Sequence, residues 1–269
     1  MRSSAYLFAF TIYLVFAIGL GQRILLWPAI WLFPGRRRRM VRAWLRFHAR
    51  STLAMARDIA NVRVSVRGSI PPESCIVVMN HQSVLDIPIG LRLVPGPYPL
   101  IPTRERYHWG VPGISPLARL ARYPFVSQKR VLSRSELAAL TEAAEQVARG
   151  EQSLLIFPEG HRSRDGGLGR FMRSGLRIIL SRAERPVYCV AVHGMVNART
   201  FADGLANFAN LDVRIAISDP ITPPPSGSDD RVIDDFIDLL RERMAAMLAE
   251  LDVEPATSSE RVASPAARR

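Results

Sequence analysis

The apolar positions of this chain fall into three regimes. Residues 4–21 are eighteen consecutive positions without a charge, near the lower limit of about 17–25 residues with which a helix crosses a bilayer. After Gln22 and Arg23, a second uncharged run over residues 24–34 holds Trp27 and Trp31. Four residues apart, the two indoles share one helical face at headgroup depth. Eleven residues cannot span alone, so this run reads as an interfacial or re-entrant arm, kinked by Pro28 and ended by Pro34, with a short buried helix as the alternative. Whether the first segment spans or pairs with the second as a one-leaflet hairpin stays open.

Beyond residue 60 the pattern shortens. Apolar runs at 62–66, 75–79, 154–157, 187–192 and 213–217 predict strands, several buried on both faces. Helical periodicity fills residues 87–93, 135–149, 173–182 and 232–251, and Ser133 with Glu136 forms a capping-box start. Alternating strands and helices predict an α/β domain over residues 59–254, with a mixed, largely parallel sheet flanked by helices. It follows a membrane-anchoring helical segment, residues 1–58. Residues 220–227 break the chain before the last amphipathic helix, and residues 255–269 read as a disordered tail. No internal repeat is visible.

Charge then selects the partner. The chain has 269 residues, 48% of them apolar, and a formal net charge of +12 with pI near 10.9. Such a balance points to nucleic acid or to the anionic cytoplasmic leaflet. Arg36 to Arg39 directly follow the apolar arm, and Arg42, Arg46 and Arg50 continue at helical spacing. This predicts a lipid-facing basic stripe on the cytosolic side of the cell membrane, and four consecutive arginines oppose export by a cleaved signal peptide. A nucleic-acid binder would need a basic face with interleaved aromatics away from the membrane segment, so nucleic acid is not expected as a partner. Cys75 and Cys189 each lie inside an apolar run and read as buried, reduced thiols, with no metal site.

Two segments carry chemistry. Asn80-His81-Gln82-Ser83-Val84-Leu85-Asp86 follows the strand at 75–79, and Phe157-Pro158-Glu159-Gly160-His161-Arg162-Ser163 follows the strand at 154–157. On a helix, residues five apart point about 140° away from each other, so a strand-to-helix turn must bring His81 to Asp86. There the carboxylate would fix one imidazole tautomer and leave the other nitrogen to accept a proton. Glu159 lies past a strand's carboxyl end, where open α/β sheets place ligands, and Arg162 and Arg164 add charge suited to phosphate. For either segment alone, a helix cap or a solvated turn would be the plainer reading.

Together the two segments resemble the glycerolipid acyltransferase family. Asn80 to Asp86 match its Asn-His-x4-Asp motif, and Phe157 to Ser163 its Phe-Pro-Glu-Gly-Thr-Arg-Ser motif, with His161 in place of threonine. Phe171-Met172-Arg173-Ser174-Gly175 is similar to the family's basic-x-Gly helix start, and the likeness covers residues 60–220. The resemblance implies transfer of an acyl group from an acyl-CoA or acyl carrier protein thioester to a lysophospholipid hydroxyl, without cofactor or metal. His81 and Asp86 would be catalytic. Glu159, Gly160 and Arg162 would organise the acceptor headgroup.

Two departures bear on the acceptor. Where the family has Phe-hydrophobic-Asp-Arg, this chain reads Phe125-Val126-Ser127-Gln128-Lys129-Arg130, so Gln128 stands in the arginine's place and Lys129 or Arg130 would have to supply the charge. Cys189 stands where the family's fourth motif has proline. 1-Acylglycerol-3-phosphate, giving phosphatidic acid, is the leading acceptor. A lysolipid with an amino-acid headgroup is the competitor, and a membrane-bound acyl hydrolase or a silent membrane scaffold are the readings from other classes.

Overall fold

The computed structural model describes residues 1–111, 113–127, 132–200 and 207–253. Gln128, Lys129, Arg130 and the expected tail at 255–269 lie outside the described residues.

Among the described residues, eight strands form two sheets: β1 (Arg63–Arg67), β2 (Ile76–Met79), β3 (Pro99–Leu100), β4 (Thr103–Arg104), β5 (Phe125–Val126), β6 (Ser153–Ile156), β7 (Val187–His193) and β8 (Asp212–Ile217). The main sheet has the order β1-β8-β7-β2-β6-β3, and every neighbouring pair is parallel except β7 with β8. The mixed, largely parallel sheet read from the sequence is therefore present. Its central strands β2 and β6 are buried at every position, which requires helices on both faces and explains why all their residues but Ser153 are apolar. A separate two-stranded ribbon joins β4 to β5. Strands of two residues carry no alternation, so β3, β4 and β5 left no periodic signal.

The described helices of the domain are α3 (Arg37–Ala60), α4 (Asp86–Leu93), α5 (Ile114–Leu120), α6 (Arg134–Ala148), α7 (Arg173–Leu180) and α8 (Asp230–Val253), behind α1 (Arg2–Ile12) and α2 (Trp27–Leu32). The capping box at α6 is formed, with Ser133 and Glu136 each bonding the other's backbone N–H. Both cysteines are free and buried, and burial pushes the thiols up to about 11 for Cys75 and about 12 for Cys189.

The N-terminal region differs from its expected form in three ways. First, α1 and α2 are one continuous 31-residue helix, Arg2–Leu32. Wider turns through Gln22–Leu26 precede Pro28, which sits in the first turn of α2 and does not end the helix. The break comes at Phe33, pushed out of helical geometry before Pro34. Second, this helix is tied to the domain along its length. Ser3 accepts a bond from the backbone N–H of Ala209 at 2.9 Å, Tyr6 packs on Phe208, Tyr13 meets His48 at 2.5 Å and Gln22 donates to the Gly113 carbonyl at 3.1 Å. Its other face leaves Phe8, Phe16, Ile24, Leu25 and Trp31 exposed. Third, Tyr6, Leu7, Val41, Leu45 and Ala49 belong to the same core as the sheet, so no boundary at residue 58 separates two cores.

The basic stripe is also redistributed. Arg46 donates to the carbonyls of Val94, Pro95 and Gly96, and Arg42 to Pro95. These carbonyls lie just past the end of α4, near the helix terminus that favours cations. Arg42 and Arg46 thus face the domain rather than lipid.

Candidate active site

The strand register brings the two motifs together. β2 and β6 are parallel neighbours, with Ile76 opposite Leu154 and Val78 opposite Ile156, so both chains leave the sheet side by side at its carboxyl edge. The backbone N–H of Ser163 donates to the His81 carbonyl at 2.7 Å, joining the segments directly.

Past Met79 the polar side chains divide their work. Asn80 clamps β7, donating to the Val192 carbonyl at 2.9 Å and accepting from the Val192 N–H at 2.7 Å. Gln82 accepts from the Met195 N–H and donates to the Gly166 carbonyl, and Ser83 donates to the Ala198 carbonyl. All three are buried, which leaves His81, 16% exposed, as the group of this turn that meets the solvent side. Its ring stacks on Phe157 at 4.2 Å between centroids.

Asp86 opens α4 and is fully buried. Its Oδ2 lies 2.7 Å from His81 Nδ1 and also accepts the backbone N–H groups of Gln82 at 2.6 Å and Ser83 at 2.7 Å. A carboxylate so placed accepts a hydrogen bond from Nδ1–H and leaves Nε2 as the acceptor nitrogen, the arrangement of a general base with its orienting carboxylate. The His81 and Asp86 expected from the turn are brought together.

Glu159 takes a different position from the one expected. It is 2% exposed, with Oε1 accepting from the His81 N–H at 3.0 Å and Oε2 from the Gly169 N–H at 2.7 Å. Burial raises its pKa, and the two backbone bonds pull in the other direction. With both oxygens engaged by backbone, Glu159 braces the His81 turn instead of reaching outward to a headgroup. Gly160 has φ +68°, and a Cβ there would lie 2.4 Å from Met172 Sδ. Its carbonyl accepts from Arg104 Nε at 3.2 Å and Nη2 at 2.8 Å.

Arg162 is half-buried and donates from Nη1 to the Arg199 carbonyl at 2.5 Å. Arg104, on β4, was not anticipated from the sequence. Its pKa is lowered by burial first and then by the charges of Arg106 and Arg162, so it stands in the same electropositive field. The signal in the chain is one arginine after a short apolar run, too weak to single out. His161, the departure from the family motif, is exposed beside this group. Among the described residues no three His, Cys, Asp or Glu side chains gather as metal ligands.

Comparison with known proteins bears on the family and the fold. Residues 61–193 match the acyltransferase family model. The chain is 32% identical over 153 residues to the chloroplastic 1-acyl-sn-glycerol-3-phosphate acyltransferase BAT2 of Brassica napus, covering 55% of this chain and 40% of that protein. It is 30% identical over 129 residues to the human 1-acyl-sn-glycerol-3-phosphate acyltransferase alpha (47% and 44% covered), and 27% identical over 166 residues to the Pseudomonas aeruginosa 1-acyl-sn-glycerol-3-phosphate acyltransferase (59% and 59%). The chain therefore spans less than half of the plant and human relatives it matches. In fold it is similar to the crystal structure of the 1-acyl-sn-glycerophosphate acyltransferase PlsC from Thermotoga maritima, with a TM-score of 0.70 at 23% identity, covering 94% of this chain and 99% of that one. Residues 61–193, which hold both motifs, form a domain of the acyltransferase family.

Proposed function

We propose that this chain transfers a fatty acyl group from an acyl-CoA or acyl carrier protein thioester to the hydroxyl of 1-acylglycerol-3-phosphate, giving phosphatidic acid. The observation that carries the reading is the His81–Asp86 pair at 2.7 Å, set on the same sheet edge as Arg162 and Arg104. His81 Nε2 removes the acceptor hydroxyl proton as the oxygen attacks the thioester carbonyl. The C–O bond forms, the C–S bond breaks, and the imidazolium, stabilised by Asp86, returns the proton to the departing thiolate. The balance needs no cofactor. Arg162 and Arg104 suit the acceptor phosphate by charge and fork geometry, and Lys129 and Arg130 are further candidates by sequence.

The reading places the enzyme on the cytosolic face of the cell membrane. A helix fastened to the domain at Ser3, Tyr13 and Gln22 cannot leave it to span, so its exposed apolar face lies in the interface, with Arg36 to Arg39 at headgroup level. Gln128, at the position where the family carries arginine, favours a second acceptor, a lysolipid with an amino-acid headgroup.

Purified full-length chain and its His81→Ala variant, given each donor against a panel of lysolipids with products identified by mass spectrometry, test this reading. Phosphatidic acid formed by the parent chain alone supports it. Undiminished transfer by His81→Ala rejects the base, and free fatty acid released without any lysolipid points to hydrolysis instead.

A further inference from the structure

At the opposite sheet edge from His81, where β3 and β6 begin, Tyr98 and Gln152 line a cavity of about 340 Å³. Arg37 and Arg38 from the start of α3, and Arg122 from just past the end of α5, line it as well. None of its lining residues is acidic. Glu151, outside the lining, takes Arg38 at 2.7 Å but is shared with Arg149. Pro34 and Gly35, immediately after the apolar helix ends, line it too.

Two local choices here run against stability. α3 opens with arginines at the helix end whose dipole repels cations, without a side-chain cap or an acidic residue in its first turn. Arg122 holds φ +57°, a left-handed conformation that glycine adopts without strain. Meanwhile Arg37 is pinned by a 2.6 Å bond to the Leu120 carbonyl, and its pKa is lowered by burial first and then by the charge of Arg122. Guanidinium groups crowded around a cavity at a helix N-terminus form a receptor for a tetrahedral anion.

We infer that this cavity is a phosphate-binding site, separate from the acyltransfer centre, filled by a phospholipid headgroup or by a free phosphate group. The phosphate chemistry does not depend on the proposed acyltransferase reading; the lipid source rests on its membrane placement.

The test uses the full chain in non-ionic detergent, in an Arg162→Gln background that weakens phosphate binding at the His81 edge. Dioctanoyl phosphatidylglycerol, dioctanoylglycerol and inorganic phosphate are titrated by calorimetry. Arg122→Gly is the informative variant, because it removes a charge and relieves the backbone. It should raise the ligand-free melting temperature and weaken phosphatidylglycerol binding about ten-fold or more, the loss of a charge-assisted hydrogen bond. Arg37→Gln should weaken binding likewise, with circular dichroism reporting its folding.

Arginine-dependent binding of phosphatidylglycerol that inorganic phosphate does not reproduce assigns the lipid. Equal binding of inorganic phosphate assigns a free phosphate group. Equal binding of dioctanoylglycerol, or affinities that Arg122→Gly leaves unchanged, overturn the site. Acyl transfer measured on Arg122→Gly with Arg162 intact separates failure here from failure of the catalytic reading.

Discussion

His81 and Asp86 meet at 2.7 Å through the same carboxylate oxygen that accepts the N–H groups of Gln82 and Ser83. One atom therefore orients the base and shapes the turn that carries it. The other oxygen, Oδ1, is buried and makes no hydrogen bond among the described residues.

This asymmetry makes Asp86→Asn a discriminating change. An asparagine oxygen can replace Oδ2, but its NH2 group then fills the buried Oδ1 position without an acceptor, costing about 1–3 kcal/mol of stability. Loss of the negative charge should lower kcat by about 10²–10⁴-fold, with the acceptor KM little changed. Denaturant unfolding and steady-state kinetics on one preparation check both, and a near-parent kcat would remove Asp86 from the mechanism.

Glu159 should give a measurable pH signature. Burial holds its carboxyl above the ordinary 4.5, so the folded state binds that proton more tightly than the unfolded chain. Its contribution to stability therefore falls as pH rises from 4.5 through the raised value, and is constant above it. Glu159→Gln should flatten this slope in melts across the acid range. The amide must also turn its NH2 toward either the His81 or the Gly169 N–H, leaving that donor unpaired at about 1–3 kcal/mol and slowing transfer. An unaltered pH slope would contradict this assignment.

Gly160→Ala combines two penalties, a side chain at φ +68° and a Cβ 2.4 Å from Met172 Sδ. The backbone part should cost about 1–2 kcal/mol. The contact with the flexible Met172 side chain should be relieved by Met172→Ala in the double variant. Thermal melts of the single and double variants separate the two, and additivity of the changes would show that the residues do not meet.

Arg46→Ala tests the reassigned arginine stripe. Its guanidinium serves the carbonyls of Val94, Pro95 and Gly96, so its loss should destabilise the chain by about 1–3 kcal/mol. Flotation with anionic vesicles should be unaffected. A variant of normal melting temperature that fails to float would return Arg46 to the lipid.

Much of this molecule is legible along the chain because its signals are local. The runs at 75–79, 154–157 and 187–192 became buried central strands, since strands covered on both faces must be apolar throughout. Ser133 and Glu136 form their box because both partners lie within one helical turn. Asp86 was recognisable as the partner of His81 because the sequence required a turn there. Arg104 was not, since it reaches the site from a two-residue strand in a separate ribbon.

The sequence by itself determined the α/β alternation, the apolar N-terminal segment and the pairing of a histidine with a carboxylate, all consequences of residue type and short spacing. Tertiary structure decided how charged side chains are used. Glu159 became a brace because its turn folds back on the His81 backbone, and Arg46 came to hold the segment that leaves α4 because α3 packs against α4. Composition fixes that a carboxylate or guanidinium must find a partner, but which partner depends on atoms brought close by folding, dozens of residues away.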